Sequence, residues 1–132
     1  MKTTTLLLIT LTLALCSISF VTPKLKPCHQ NSADSFSLSN GKKVFANNCA
    51  GCHGASGQGA YGPNLCDKYW IHGSHYHGIV HVIKHGVSKK GMTAFRHSLS
   101  HAQIRDVGHY IILTLKGSNP SGAKAAEGKL HK

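Results

Sequence analysis

Two cysteines and a histidine in the run Cys49-Ala50-Gly51-Cys52-His53 are the residues best suited to chemistry in this chain. Thiols three positions apart share one helical turn, so both can bond to the vinyl groups of one porphyrin. The imidazole that follows directly is then positioned to ligate the iron from below the ring. A thioredoxin-like dithiol would need a preceding strand, and a zinc site would need a second matched pair. The order of the motif therefore predicts covalent attachment of one haem c.

A second axial ligand can be identified by elimination. The chain contains two methionines, and because the first begins the chain, Met92 is the only internal thioether. It lies in a glycine-flanked polar stretch between two helix-like segments, where a loop can direct its side chain inwards. The alternative is that Met92 fills a gap in the core. His/Met ligation raises the reduction potential of the iron and leaves no open coordination position, which favours electron transfer over substrate chemistry.

A glycine-rich loop follows the motif, from Gly54 to Gly62. Glycines there let the backbone pass close to a flat ring without a Cβ clash. The next residue is Pro63, whose carbonyl is placed to accept the N–H of the His53 imidazole and so to fix its tautomer and orientation. The alternative is an ordinary turn proline.

The elements that must position these residues are helices, and the sequence contains no convincing strand. A first helix is expected over 41–50, capped by Ser39 or Asn40, and a middle helix over 74–85. The last helix begins at a capping box formed by Ser100 and Gln103 and carries apolar residues at helical spacing. It should end at Lys116-Gly117.

Glycines and aromatic residues predict how the first and last helices pack. Gly41 and Phe45 on the first helix are expected to cross the last helix at Gly108 and Tyr110. The expected fold class is all-α, with three to four helices wrapped around one covalently bound haem.

Histidines are unusually numerous, with eleven in the chain. On the middle helix, His77, His81 and His85 are four residues apart, so they could hold copper or zinc. The alternative is a solvated face that titrates near neutral pH. A wider metal-handling set would be His72, His75, His77, His81 and His85. His97 is an alternative axial ligand in place of Met92.

The N-terminus has the outline of a secretory signal over residues 1–19. Lys2 precedes the apolar run Leu6–Leu15, which is short for a membrane span, and small residues offer a cut after Ser19. An uncleaved anchor, or a lipoprotein modified at Cys16, is the alternative. Each of these predicts an exported, periplasmic domain, and the last two would associate it with a membrane.

Composition divides the remaining chain into three parts. Residues 20–38 are rich in Pro, Ser and Lys and are expected to form a flexible arm. Residues 39–116 should form the haem domain, and residues 117–132 a basic flexible tail.

Three motifs carry a family resemblance: 62–70 (Gly-Pro-Asn-Leu-Cys-Asp-Lys-Tyr-Trp), Lys90-Gly91-Met92, and 116–120. Together with the first helix that ends in C-x-x-C-H and the capped last helix, they resemble class I cytochrome c, and the resemblance implies a cytochrome c-like fold. They are most similar to the C-terminal haem domain of the multi-haem subunit of cbb-type cytochrome oxidases. The resemblance implies that Cys49 and Cys52 hold haem c and that His53 and Met92 ligate the iron. It also implies that Trp70 lies near the haem edge by the propionates; a plain packing role is the alternative.

The sequence departs from that subunit in two ways. The oxidase subunit carries a membrane helix and a second haem domain before this one. Neither is recognised in this sequence, so we expect a free-standing, single-haem relative. Cys66 stands where threonine is expected, and Cys28 lies in the arm. These two could form a disulfide in an oxidising compartment; otherwise one is a free thiol or links two chains.

Charge narrows the class of partner. Fifteen Lys and Arg residues against four Asp and Glu give a formal charge of +11. Such a field steers association with an acidic surface, either a redox protein or a membrane oxidase or reductase complex. Anionic lipid headgroups are a further possible partner. Nucleic acid is excluded because no recognition motif accompanies the basic residues. A monomer is expected.

These observations predict an electron carrier, not an enzyme. The chain would pass single electrons between respiratory redox partners, ending at a haem-copper terminal oxidase. Two alternatives keep Met92 as a labile ligand: a haem-based sensor or binder of small ligands, and a peroxidase-like enzyme.

Overall fold

The computed structural model describes residues 35–131 of the chain. The α-helices are α1 (Leu38–Asn48), α2 (Ala50–His53), α3 (Tyr76–His85) and α4 (His101–Tyr110). A 3₁₀ turn forms at Ser88–Lys90, and a π-helical turn at Ile111–Leu115 continues α4. Two short strands, β1 (Tyr69–Trp70) and β2 (Lys129–Leu130), pair antiparallel. The predicted signal segment, Cys16, Cys28 and residues 20–34 of the predicted arm lie outside the described residues.

Helix α1 begins at Leu38, before the predicted start at Gly41. Ser37, not Ser39 or Asn40, is the N-cap, and its hydroxyl accepts the Asn40 N–H at 3.2 Å. The carboxylate of Asp106 on α4 accepts the Ser37 N–H at 3.1 Å and the Asn40 Nδ2–H at 2.8 Å. The earlier start has a tertiary cause, because a buried carboxylate satisfies donors at the helix end.

Replacing Asp106 with alanine should therefore destabilise the protein. The change removes the acceptor for both α1 donors and empties a site that is only 4% exposed. We expect a loss of about 2 kcal/mol in the free energy of unfolding, typical of a lost buried hydrogen-bond partner. Chemical denaturation followed by circular dichroism measures it. Asn47→Ala, on the exposed side of α1, is the control, and an equal effect of both changes would contradict the assignment.

The chain turns at the first cysteine of the motif. Helix α1 ends at Asn48 instead of continuing to Ala50, and the Cys49 N–H donates to the Phe45 carbonyl at 2.8 Å. The one-turn helix α2 follows, with the His53 N–H donating to the Cys49 carbonyl at 2.9 Å. This turn sets the direction of the motif relative to α1.

The predicted crossing of the first and last helices is confirmed at three of its four residues. A Cβ on Gly41 would overlap the Asp106 carbonyl and come within 2.8 Å of the Tyr110 Cβ. The rings of Phe45 and Tyr110 pack with centroids 5.7 Å apart. Gly108 is the exception, because it faces Tyr76 and Val80 of α3. Gly41 of α1 thus lets α1 approach α4 closely, and Gly108 of α4 does the same for α3.

The capping box at the start of α4 is confirmed. The Gln103 N–H donates to the Ser100 hydroxyl at 3.2 Å, and the Ser100 N–H donates to the Gln103 Oε1 at 2.9 Å. The helix widens after Tyr110, where the Lys116 N–H reaches back five residues to the Ile111 carbonyl at 2.9 Å. Apolar periodicity alone did not indicate this π-helical turn.

Helix α3 begins at Tyr76, slightly later than predicted, and buries Ile79 and Ile83. The buried core residues at the centre of the α1–α4 contact are Val44, Phe45, Ile104 and Val107. Over residues 35–131, none of the helices combines the length and the apolar character needed to cross a bilayer.

Residues 117–131, which we call the C-terminal strap, correspond to the expected tail and make backbone contacts with the rest of the described domain. The strap returns across the domain, with the Lys124 N–H donating to the Gln58 carbonyl at 2.8 Å. Its strand β2 pairs Lys129 with Trp70 and Leu130 with Tyr69. The prediction that the chain has no strand is therefore wrong for these short segments, since the pairing joins residues that are distant in sequence.

Candidate haem-binding site

All six site residues predicted from the sequence border one cavity. It has a volume of about 590 Å³, within the range typical of ligand sites. The predicted residues in its wall are Cys49, Cys52, His53, Pro63, Trp70 and Met92. Apolar side chains from four other parts of the chain complete the wall, among them Leu65, Ile79, Ile83, Phe95 and Ile111. The cavity thus combines a few chemically specific groups with an apolar interior.

The two thiols lie at the start and middle of one helical turn. Cys52 is exposed and Cys49 is partly buried. Burial, reinforced by the nearby Cys52, raises the pKa of the Cys49 thiol to about 11. Neither cysteine is part of a disulfide, and both border the cavity.

The His53 imidazole is held by the backbone of the following loop. Its Nδ1 lies 2.9 Å from the Pro63 carbonyl oxygen. Because the carbonyl can only accept, Nδ1 carries the proton and Nε2 keeps its lone pair. Burial lowers the pKa of His53, although the hydrogen bond to Pro63 opposes that shift. The ring is therefore a neutral imidazole suited to bind a metal.

Gly62 has a specific reason to lack a side chain. A Cβ at this position would come within 2.9 Å of the His53 Cε1 atom and 3.0 Å of its Nδ1. The Gly62 N–H donates to the Cys52 carbonyl at 2.8 Å, which holds the loop against the motif. The expectation was that the loop glycines make room for a flat ring; at Gly62 the close contact is with the imidazole.

A small closed loop carries Met92 to the cavity. Val87 and Met92 exchange two backbone hydrogen bonds, with N–O distances of 2.9 and 3.2 Å. The loop closes through the 3₁₀ turn at Ser88–Lys90 and through Gly91, whose φ of 78° is left-handed. Met92 is half-buried in the cavity wall, so its position does not match that of a residue filling a closed core gap.

Trp70 is buried in the cavity wall, in strand β1. Its indole Nε1–H donates to the Asp67 carbonyl at 3.2 Å, and the Lys116 ammonium lies 5.8 Å from the ring centroid. It is 9% exposed. Trp70 therefore packs in the buried core and also borders the cavity.

The histidine row of α3 lies on the surface. His77, His81 and His85 are all exposed, and the rings of His81 and His85 are 4.4 Å apart. Within residues 35–131, no group of three or more His, Cys, Asp or Glu side chains could hold a metal ion. His97 is exposed and accepts a hydrogen bond from Arg96 Nε at 2.9 Å. These positions fit a solvated face.

Cys66 is buried beneath the glycine loop. Its thiol donates to the Ser56 carbonyl, with an S–O distance of 3.1 Å, and the residue is 2% exposed. The other half of the suggested disulfide, Cys28, lies outside the described residues.

Two charged residues of the C-terminal strap that border the cavity were not predicted from the sequence. Lys124 and Glu127 of the C-terminal strap both border the cavity. Asn64 contributes to their placement, because its Nδ2–H donates to the Lys124 carbonyl at 3.2 Å. No motif marks these residues, and only the antiparallel return of the strap brings them to the site.

The donor set and the cavity fit haem c. Two thiols on one turn suit thioether attachment, while a neutral imidazole and a thioether are the axial ligands that cytochromes c use. The apolar wall suits a macrocycle, which must be kept from water for its redox properties to be controlled. No residue in the arrangement is chemically incompatible with the group.

Comparison with known proteins agrees with the resemblance found in the sequence. Residues 36–111 match the family described as "Cytochrome C oxidase, cbb3-type, subunit III". The "Cbb3-type cytochrome c oxidase subunit CcoP" of Azospirillum sp. (strain B510) is 38% identical over 107 residues, 71% of this chain and 36% of that protein. The corresponding subunit FixP of Azorhizobium caulinodans is 40% identical over 101 residues, 70% of this chain and 34% of that protein. The chain thus spans about a third of the length of these relatives.

A solved structure shows the fold. Cytochrome cL from the methylotroph Methylophaga aminisulfidivorans superposes with a TM-score of 0.61 at 19% identity, covering 66% of this chain and 74% of that one. The predicted all-α, cytochrome c-like fold is confirmed, and haem c is the cofactor that the family implies. The chain belongs to the cbb3-type cytochrome c oxidase subunit III family.

Proposed function

We propose that this chain is an exported, single-haem cytochrome c that carries one electron at a time between respiratory partners and delivers it to a haem-copper terminal oxidase. One observation supports this most: the C-x-x-C-H helix and the Met92 loop, from separate parts of the chain, border the same apolar cavity. Relatives named as cytochrome c oxidase subunits support the choice of acceptor.

Each site residue has one task in this proposal. Cys49 and Cys52 would attach the group covalently, and His53 and Met92 would ligate its iron. Haem c, when bound, supplies an iron that gains and loses one electron. The hydrogen bond from His53 Nδ1 to the Pro63 carbonyl orients the imidazole, as partners of metal-ligating histidines do.

The remaining residues keep the site closed to other chemistry. The side chains of Ile79, Ile83 and Phe95 exclude water from the wall of the cavity. His53 and Met92 would both be occupied in holding the iron. Electron transfer therefore fits these residues better than peroxidase chemistry or ligand sensing.

The charge of the chain supports an acidic partner. The formal charge is +11, and the lysines at 89 and 90 border the cavity beside Met92 and are exposed. A basic surface at this edge would steer an acidic redox protein or membrane complex towards the site. Anionic membrane lipid is a second surface of the same charge. We propose that the chain acts as a monomer in the periplasm.

Mass spectrometry of the purified full chain, produced with export and haem-attachment machinery, tests the proposal. We expect the mass of one haem on the mature chain, together with a reversible one-electron potentiometric titration. The variant Cys49→Ser/Cys52→Ser should lack the added mass. A colourless wild-type protein, or a haem lost on denaturation, would contradict covalent attachment.

A further inference from the structure

The C-terminal strap forms part of the cavity wall although it lies beyond the matched family region. That match ends at residue 111, whereas Lys124 and Glu127 border the cavity. Glu127 is the only acidic residue in that wall among the described residues. The strap therefore adds one positive and one negative charge to a wall that is mainly apolar and whose other lysines are Lys89 and Lys90.

Backbone contacts hold the strap at two places. At the first, the Lys124 N–H donates to the Gln58 carbonyl at 2.8 Å, and the Lys124 carbonyl accepts from Asn64 Nδ2 at 3.2 Å. At the second, strand β2 pairs with β1, and the His131 N–H donates to the Lys68 carbonyl at 2.8 Å. Because these contacts use the strap backbone, changing the Lys124 or Glu127 side chain leaves them in place.

Lys124 lies close to His53 through a single intervening residue. The Gly59 N–H donates to the His53 carbonyl at 2.7 Å, and a Cβ on Gly59 would come within 2.8 Å of the Lys124 Cβ. The Lys124 side chain also borders the same cavity as His53, so its charge lies at the proposed haem site.

Glu127 opposes that charge. Its Oε1 lies 2.7 Å from the Lys124 Nζ, and the two side chains are 42% and 37% exposed. An ion pair this exposed adds little to folding stability. Its main consequence is the local field, in which the ammonium and the carboxylate have opposite effects on any charge in the cavity.

We propose that Lys124 and Glu127 tune the reduction potential of the bound haem, Lys124 raising it and Glu127 lowering it. This inference rests on the proposed function. Loss of an electron adds one positive charge to the iron, so a nearby ammonium disfavours the oxidised form and a nearby carboxylate favours it. Both side chains would act on the iron through space and would not be among its ligands.

Potentiometric titration of the haem-loaded full chain tests the inference. We expect Lys124→Gln to have a lower midpoint potential than wild type and Glu127→Gln a higher one, with the double variant between them. Lys124→Arg should keep the wild-type value because it keeps the charge. Lys129→Gln is the matched control, since Lys129 is exposed in the same strap and its contacts to β1 are made by the backbone.

Salt gives a second measurement of the same effect. The differences between variants should shrink as ionic strength rises to 1 M, where the Debye length falls to about 3 Å. Unchanged potentials in Lys124→Gln and Glu127→Gln, with normal haem mass and spectrum, would overturn the inference alone. So would equal shifts in Lys124→Gln and Lys124→Arg, which would indicate packing and not charge. A chain that binds no haem would instead overturn the proposed function.

Discussion

Replacing Met92 with alanine is expected to turn the reduced, haem-loaded protein into one that binds carbon monoxide. Met92 is the only internal methionine of the chain and borders the cavity, so its loss removes the sulfur ligand that we propose. The reduction potential should fall by on the order of 0.2 V, because axial ligands set haem potentials over a range of about 0.8 V. Visible spectra under carbon monoxide and a redox titration measure the two effects.

His97→Ala is the control for this experiment. His97 is exposed and contacts Arg96 outside the cavity wall, so the change should leave the spectrum and potential as in wild type. If wild-type protein binds carbon monoxide as readily as Met92→Ala, Met92 is not a firm ligand. A sensor or peroxidase-like role would then replace the electron-carrier proposal.

Replacing Gly41 with alanine should destabilise the protein strongly. The added Cβ would overlap the Asp106 carbonyl on α4 and press on the Tyr110 Cβ at 2.8 Å. Neither atom can rotate away, because one is backbone and the other is fixed to it. We expect a loss of about 3 kcal/mol in the free energy of unfolding, at the upper end of typical overpacking costs. Denaturant titration of the haem-loaded chain measures it.

Gly51→Ala provides the matched control for the Gly41 change. A Cβ at Gly51 would meet no atom within 4 Å, and the residue lies in a helical turn. Alanine there should leave stability unchanged or raise it by up to about 1 kcal/mol. Similar unfolding midpoints for the two variants would show that α1 and α4 do not depend on close contact at Gly41.

Local patterns in the sequence predicted the parts of the fold that depend on near neighbours. The capping box of Ser100 and Gln103 was predicted correctly because both hydrogen bonds join residues three apart. The middle helix expected over 74–85 is likewise found, as α3 (Tyr76–His85). The start of α1 could not be predicted in this way, because its cap depends on Asp106, far along the chain.

The candidate site shows the same division. The sequence by itself determined which groups are available for haem chemistry, since the C-x-x-C-H order and the single internal methionine are properties of the chain. The tertiary structure decided what surrounds those groups. Lys124 and Glu127 reach the cavity because the strap returns across the domain, where Lys124 bonds to the Gln58 backbone and β2 pairs with β1. Gly108 packs against α3 and not α1 because α4 lies between these two helices. Short-range spacing encodes local hydrogen bonds and covalent chemistry, whereas charges and contacts between distant residues depend on the complete packing of the chain.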